Sequence, residues 1–122
     1  MIAGFFNVYI MSFTVYILLS AKLDKYYIGQ TIDLAERLDL HKTKIFKNSF
    51  TAKSDDWILV FSLECESRDE ALFIEKYIKK MKSRKFIENL INKPDASLKL
   101  REKYRRSLVQ SRCFWYFFLS QV

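Results

Sequence analysis

Two hydrophobic periods alternate along the chain. Residues 14–19 (TVYILL) and 25–30 (KYYIGQ) are short runs rich in β-branched and aromatic residues. The polar SAKLD between them has the length of a hairpin connection, so the two runs are predicted to pair as antiparallel strands. The spacing then changes to that of a helix. Asp33 precedes Glu36 by three positions, a capping-box start for a helix over 33–46, and Leu34, Leu38, His41 and Ile45 recur on one face. Residues 47–56 (KNSFTAKSDD) read as a loop, and 57–64 (WILVFSLE) is a continuous apolar run expected of a strand covered on both sides. Ser67, with Glu70 three positions on, caps a second helix over 68–81 whose apolar stripe is Ala71, Ile74, Ile78 and Met81. A third helix over 83–91 stops before Asn92-Lys93-Pro94. A basic helical stretch, LKLREKYRR, and the aromatic CFWYFFLSQV follow. The order β-β-α-β-α-α predicts an α/β (α+β) fold, a small three-stranded, mainly antiparallel sheet flanked by helices.

With 122 residues, one-half of them hydrophobic, the chain is long enough for one ordinary core and too short for a second full domain. The first 20 residues carry no charge and meet the length rule for a membrane-spanning helix. Asn7, Ser12 and Thr14 interrupt the stretch, and the basic segment that opens a secretory signal is lacking. The expectation is an apolar leader over 1–12, with Met11 an alternative start, running into the first strand. Cys65 and Cys113 lie far apart with no Cys or His at metal-ligand spacing, which suits a reduced, cytoplasmic protein.

Charge narrows the partners. Lys and Arg outnumber Asp and Glu 21 to 14, a formal +7 that points to an anionic partner such as nucleic acid or an acidic membrane surface. Residues 76–85 (KYIKKMKSRK) hold six basic residues and no acid, and the stretch from Lys42 to Lys53 adds four lysines, again without an acid. A merely solvated face would mix both signs, so Lys42, Lys44, Lys47, Lys53, Lys79, Lys82 and Lys85 are candidates for a phosphate-binding track.

Five other residues stand out. Tyr16 and Tyr27 lie on the paired strands, so two phenols can reach one sheet face beside Gly29. A glycine inside a strand is a cost unless something must approach its backbone closely, or it marks a bulge beside ordinary sheet aromatics. Arg37 and His41, one helical turn apart, sit at the margin of the first helix's apolar stripe. There they are either core-edge residues or a phosphate clamp and a proton carrier. Glu75 lies on the shoulder of the second helix's buried stripe, with lysines on the solvent side. It is suited to a hydrated Mg²⁺ or, more simply, to an i,i+4 pair with Lys79.

In order and spacing, TVYIL, KYYIGQT, LAERLDLH, a loop bearing Thr51-Ala52-Lys53, WILVF and SRDEALFIEKYIKKMKSRKFIENLI form a pattern that resembles the GIY-YIG nuclease superfamily. The likeness is to its small single-domain branch, similar to the amino-terminal domain of the excision-repair nuclease. It covers residues 13–91 and leaves 92–122 as a basic helical tail with an aromatic terminus. The first motif reads Thr14-Val15-Tyr16 in place of Gly-Ile-Tyr, while Tyr27-Ile28-Gly29 is intact. The resemblance implies that the motif tyrosines are Tyr16 and Tyr27, the helix arginine Arg37 and the metal-binding glutamate Glu75, with His41 matching a histidine found in many members.

The resemblance further implies a DNA endonuclease, its repair role suggested by the same branch. Mg²⁺ (or Mn²⁺) is held by Glu75, Arg37 clamps the scissile phosphate, and Tyr16 accepts the water proton directly or through His41. An ordinary phenol pKa near 10 is too high for that task unless the metal and Arg37 lower it. DNA is the expected partner, with no small-molecule cofactor, and structure rather than sequence is the expected basis of recognition. Two rivals remain: a nucleic-acid-binding module on the same fold without turnover, and a membrane-associated protein using its apolar ends.

Overall fold

The computed structural model describes the backbone of residues 12–42 and 53–120 and the side chains of 12–41 and 53–110. The expected leader, Ile45 and the loop lysines Lys44 and Lys47 fall outside the described residues, as do the Lys42 side chain and those of the aromatic terminus. Three strands, β1 (Phe13–Ser20), β2 (Lys25–Thr31) and β3 (Ile58–Cys65), form an antiparallel sheet in the order β2-β1-β3. Among the described residues the helices are α1 (Leu34–Lys42), α2 (Arg68–Met81), α3 (Arg84–Asn92) and α4 (Asp95–Ser120). The predicted α/β sheet-and-helix fold is the one observed, with the basic stretch after Pro94 continuing as the long α4.

β1 is the central strand, and its sequence shows why. Val15, Tyr16, Ile17 and Leu18 are at most 1% exposed, so successive side chains pointing to opposite faces are all covered. Burying each such side chain contributes about 1.5–3 kcal/mol, which makes this strand the centre of the core. On one face Tyr16 and Leu18 join Trp57, and Leu23, Tyr27, Leu34 and Leu38 pack around them, which docks α1 on the sheet. α2 buries Ala71, Ile74 and Ile78 and packs on all three strands.

One expectation is corrected. The apolar run 57–64 is not a strand covered on both sides: β3 is an edge strand, and Ile58 and Leu59 remain 58% and 40% exposed. Continuous hydrophobicity marks the central strand in this sheet only where neighbours lie on both sides, and that place is taken by β1. The register of β1 on β3 also shifts between Ile17 and Leu18, whereas its pairing with β2 is regular past Gly29. The bulge considered at Gly29 therefore lies on the other ladder.

The helix starts follow the sequence. The Glu36 amide donates to Asp33 Oδ1 at 3.1 Å, and the Glu70 amide to Ser67 Oγ at 3.1 Å. Lys82 ends α2 in the left-handed region at φ 47°. The chain divides into two compact units after Lys82. In the second, Ser83 Oγ accepts from the Phe86 amide at 3.2 Å to cap α3, Lys93-Pro94 separates α3 from α4, and Ile87, Leu90 and Leu100 are buried.

The turn of the β1–β2 hairpin is clamped from a distance. Asp56, just before β3, accepts hydrogen bonds from Ser20 Oγ at 2.5 Å, from the Lys22 amide at 2.8 Å and from Ser54 Oγ. Lys22 Nζ pairs with Asp55 at 3.0 Å, and the Leu23 amide donates to Ser20 Oγ at 3.1 Å. These donors hold the Asp56 carboxyl well below the usual carboxylate range, with the Ser20 and Ser54 hydroxyls the main cause. Asp24 completes the turn at φ 52°, a conformation that aspartate tolerates.

Candidate active site

Tyr16, Tyr27 and His41 meet on the sheet face covered by α1. Tyr16 lies opposite Gly29 and Leu18 opposite Tyr27 in the β1–β2 register, so both phenols project from the same face. His41 comes from the last turn of α1, a helix started by the Asp33 cap and docked through Leu34 and Leu38. The Tyr16 hydroxyl and His41 Nε2 are 2.9 Å apart. The His41 ring stands edge-on to Tyr27 with centroids 4.9 Å apart, and the Trp57 ring also stands edge-on to Tyr27, at 6.5 Å.

Gly29 explains how the Tyr16 ring finds room. A Cβ at that position would lie 2.7 Å from the Tyr16 hydroxyl oxygen, 2.8 Å from its Cζ and 3.1 Å from a ring carbon of Tyr27. Only a residue with no side chain lets the phenol lie across β2, so the glycine is there for close approach.

Arg37 and Glu75 complete the set at longer range. Arg37 projects from α1 and Glu75 from α2, and both charges act on the Tyr16 phenol. Burial pushes that phenol far above its ordinary value, and Tyr27 and Glu75 push the same way. Arg37 pulls it down, as expected, but burial outweighs it. His41, 3% exposed, is shifted below its usual 6.5 first by burial and then by Arg37. Both groups are therefore neutral at neutral pH.

The Glu75 side chain is 16% exposed and takes Lys79 Nζ on Oε1 at 2.7 Å. The simpler i,i+4 pairing is thus present, on the same carboxylate whose charge acts on the Tyr16 phenol. Among the described residues no three His, Cys, Asp or Glu gather as a metal cluster. A single shielded carboxylate fits Mg²⁺ or Mn²⁺, since a hard cation that keeps several waters takes one or two carboxylates and the rest of its oxygens from substrate phosphate.

The remaining candidates are surface lysines. Lys53, Lys79 and Lys82 are exposed in the first unit, and Lys85 is exposed in the second. No helix searched among the described residues is long and apolar enough to cross a membrane. Three contributors are not marked by the sequence motifs. Trp57 reads as the first strand residue but packs before β3, Asp56 reads as loop although SDD ahead of an apolar run signals a turn clamp, and Arg68 carries no signal in sequence.

No curated protein and no solved structure matches the chain. The sequence model of the GIY-YIG catalytic domain matches residues 12–89, a span that holds Tyr16, Tyr27, Arg37, His41 and Glu75, and with well over half its length matched the chain belongs to the GIY-YIG nuclease superfamily.

Proposed function

We propose that the protein is a metal-dependent DNA endonuclease that hydrolyses a phosphodiester bond and selects DNA by structure rather than by sequence. The observation that carries this reading is the buried Tyr16–His41 hydrogen bond at 2.9 Å, with Arg37 and Glu75 charges bearing on the same phenol. Isolated structural roles would not require three elements, β1, α1 and α2, to bring these groups to bear on one phenol.

The raised phenol dictates the order of proton movement. Tyr16 is protonated at neutral pH, so it can take a proton from water only as its own proton leaves. The neutral His41 is the acceptor, through Nε2 in the tautomer protonated at Nδ1. Arg37 holds the scissile phosphate and offsets its charge. Glu75 would hold a divalent cation, whose chemistry when bound would be charge stabilisation at the phosphate and the leaving oxygen. Lys79, paired with Glu75, would be available to a phosphate oxygen were the carboxylate to hold the metal. Lys53, Lys82 and Lys85, with Lys42, Lys44 and Lys47, supply sequence-independent contacts. A reduced, cytoplasmic setting is part of the same proposal.

The test is cleavage of a panel of duplex, single-stranded, nicked, flap and branched DNAs with Mg²⁺, Mn²⁺ or EDTA. Metal-dependent cleavage concentrated on one class of branched or flapped DNA supports the reading. Binding without cleavage under every metal condition identifies a binding module instead.

A further inference from the structure

A cleft of about 230 Å³ opens beside the candidate active site, lined by Phe13, Gln30, Thr31, Ile32, Arg37 and Arg68. It is built where β1 begins, β2 ends and α2 starts, with Arg37 added from α1, so four elements converge on it. Two guanidinium groups face it and no carboxylate lines it. Arg68 is exposed and makes no ion pair among the described residues. Ile32, 59% exposed, and Phe13 give the cleft an apolar side. Arg37 belongs both to this lining and to the groups whose charge acts on Tyr16, so the cleft and the candidate active site share one guanidinium.

Size and chemistry together select an occupant. The cleft is smaller than the roughly 300–1,000 Å³ pockets that enclose drug-sized ligands, and it is open. A small open site with two planar cations, an amide and an apolar wall suits one unit of an anionic polymer: the phosphate on the guanidinium forks, the sugar or base edge on Ile32 and Phe13.

We infer that this cleft is a second phosphate subsite, in which Arg68, with Gln30 and Ile32, holds a sugar–phosphate unit of the DNA strand other than the one cleaved. The inference rests on the endonuclease reading for its substrate, but it concerns binding and can be tested apart from cleavage. In the Glu75→Gln background in EDTA, binding of a fluorescein-labelled branched DNA is followed by anisotropy across a salt series. Arg68→Ala should weaken binding several-fold and make the plot of log K against log salt shallower by about one phosphate's worth, a slope change near 0.9 for duplex. Gln30→Glu, which puts a carboxylate in the cleft and leaves both arginines, should also weaken binding. In the otherwise wild-type enzyme, Arg68→Ala should raise KM by a larger factor than it lowers kcat. Unchanged affinity and slope in both variants overturn the subsite while leaving the nuclease reading intact. If the wild-type protein cleaves nothing, the nuclease reading fails, and the binding data still decide whether the cleft takes DNA.

Discussion

The Tyr16 hydroxyl and His41 Nε2, 25 positions apart in sequence, are 2.9 Å apart in a buried setting. Burial lowers the His41 pKa from its usual 6.5 and raises that of Tyr16, so the pair meets as two neutral groups. His41 must be neutral to take the phenol proton. The acid limb of kcat/KM should therefore lie below pH 6.5, and His41→Gln should lower kcat/KM while abolishing that limb. Stability carries the same signature. The unfolded chain binds the His41 proton near 6.5 and the folded one only at lower pH, so stability is full above 6.5 and falls as pH drops through the folded pKa. Urea melts from pH 8 to 5 should show this decline in wild type and a flatter profile in His41→Gln.

Gly29→Ala should disable the site from beneath. The added methyl would lie 2.7 Å from the Tyr16 hydroxyl and 2.8 Å from Cζ, and the ring is 1% exposed with nowhere to move. Overpacking of this kind costs about 1–3 kcal/mol. Adding Tyr16→Phe relieves only the hydroxyl contact, so stability should recover in part, whereas Tyr16→Leu in the same background should recover more. Equal stability of wild type and Gly29→Ala in denaturant melts would contradict the close approach.

Glu75→Gln should abolish metal-dependent cleavage and leave DNA binding intact or slightly tighter. The amide keeps the size of the carboxylate but cannot hold a hard cation, and one negative charge facing the phosphates is lost. Losing the i,i+4 pair with Lys79 should cost no more than about 0.5 kcal/mol. Nicking of supercoiled plasmid beside a binding titration in EDTA reads both effects, and wild-type nicking in the mutant would place the metal elsewhere.

Asp56→Asn should loosen the hairpin turn and lower Tm, because an amide cannot accept as strongly from Ser20, Ser54 and the Lys22 amide. The Asp56 pKa is held below its usual 3.8, so its contribution is full above 3.8 and is lost as pH falls through the folded value. Thermal melts at pH 7 and at pH 2–3 should thus differ less in Asp56→Asn than in wild type.

DNA affinity should fall steeply with salt, and Lys53→Ala and Lys82→Ala should each flatten the salt slope by about one phosphate. Titrations in EDTA measure this, and an affinity that ignores salt would remove the lysines from the interface.

Much was legible in the chain alone because the signals are local. Asp33 and Ser67 cap helices where their spacing to Glu36 and Glu70 places them, and the run from Thr14 to Leu19 forms a strand. The order of the TVY, YIG and helix motifs pointed to a family whose sequence model matches residues 12–89. Local spacing also put Arg37 beside His41 and Glu75 one turn from Lys79.

What tertiary structure decided is which neighbours each residue meets. Apolar composition made 57–64 look like the inner strand, but strand order, a property of pairing, placed β1 between β2 and β3 and left Ile58 and Leu59 exposed. Gly29 was equally readable as a bulge until register set it opposite Tyr16. Asp56 and Ser20 are 36 positions apart, and no periodicity links a loop carboxylate to a strand end. The Tyr16 pKa is decided the same way: the phenol's charge depends on the water excluded by Leu18, Trp57 and α1, which only the packed fold excludes.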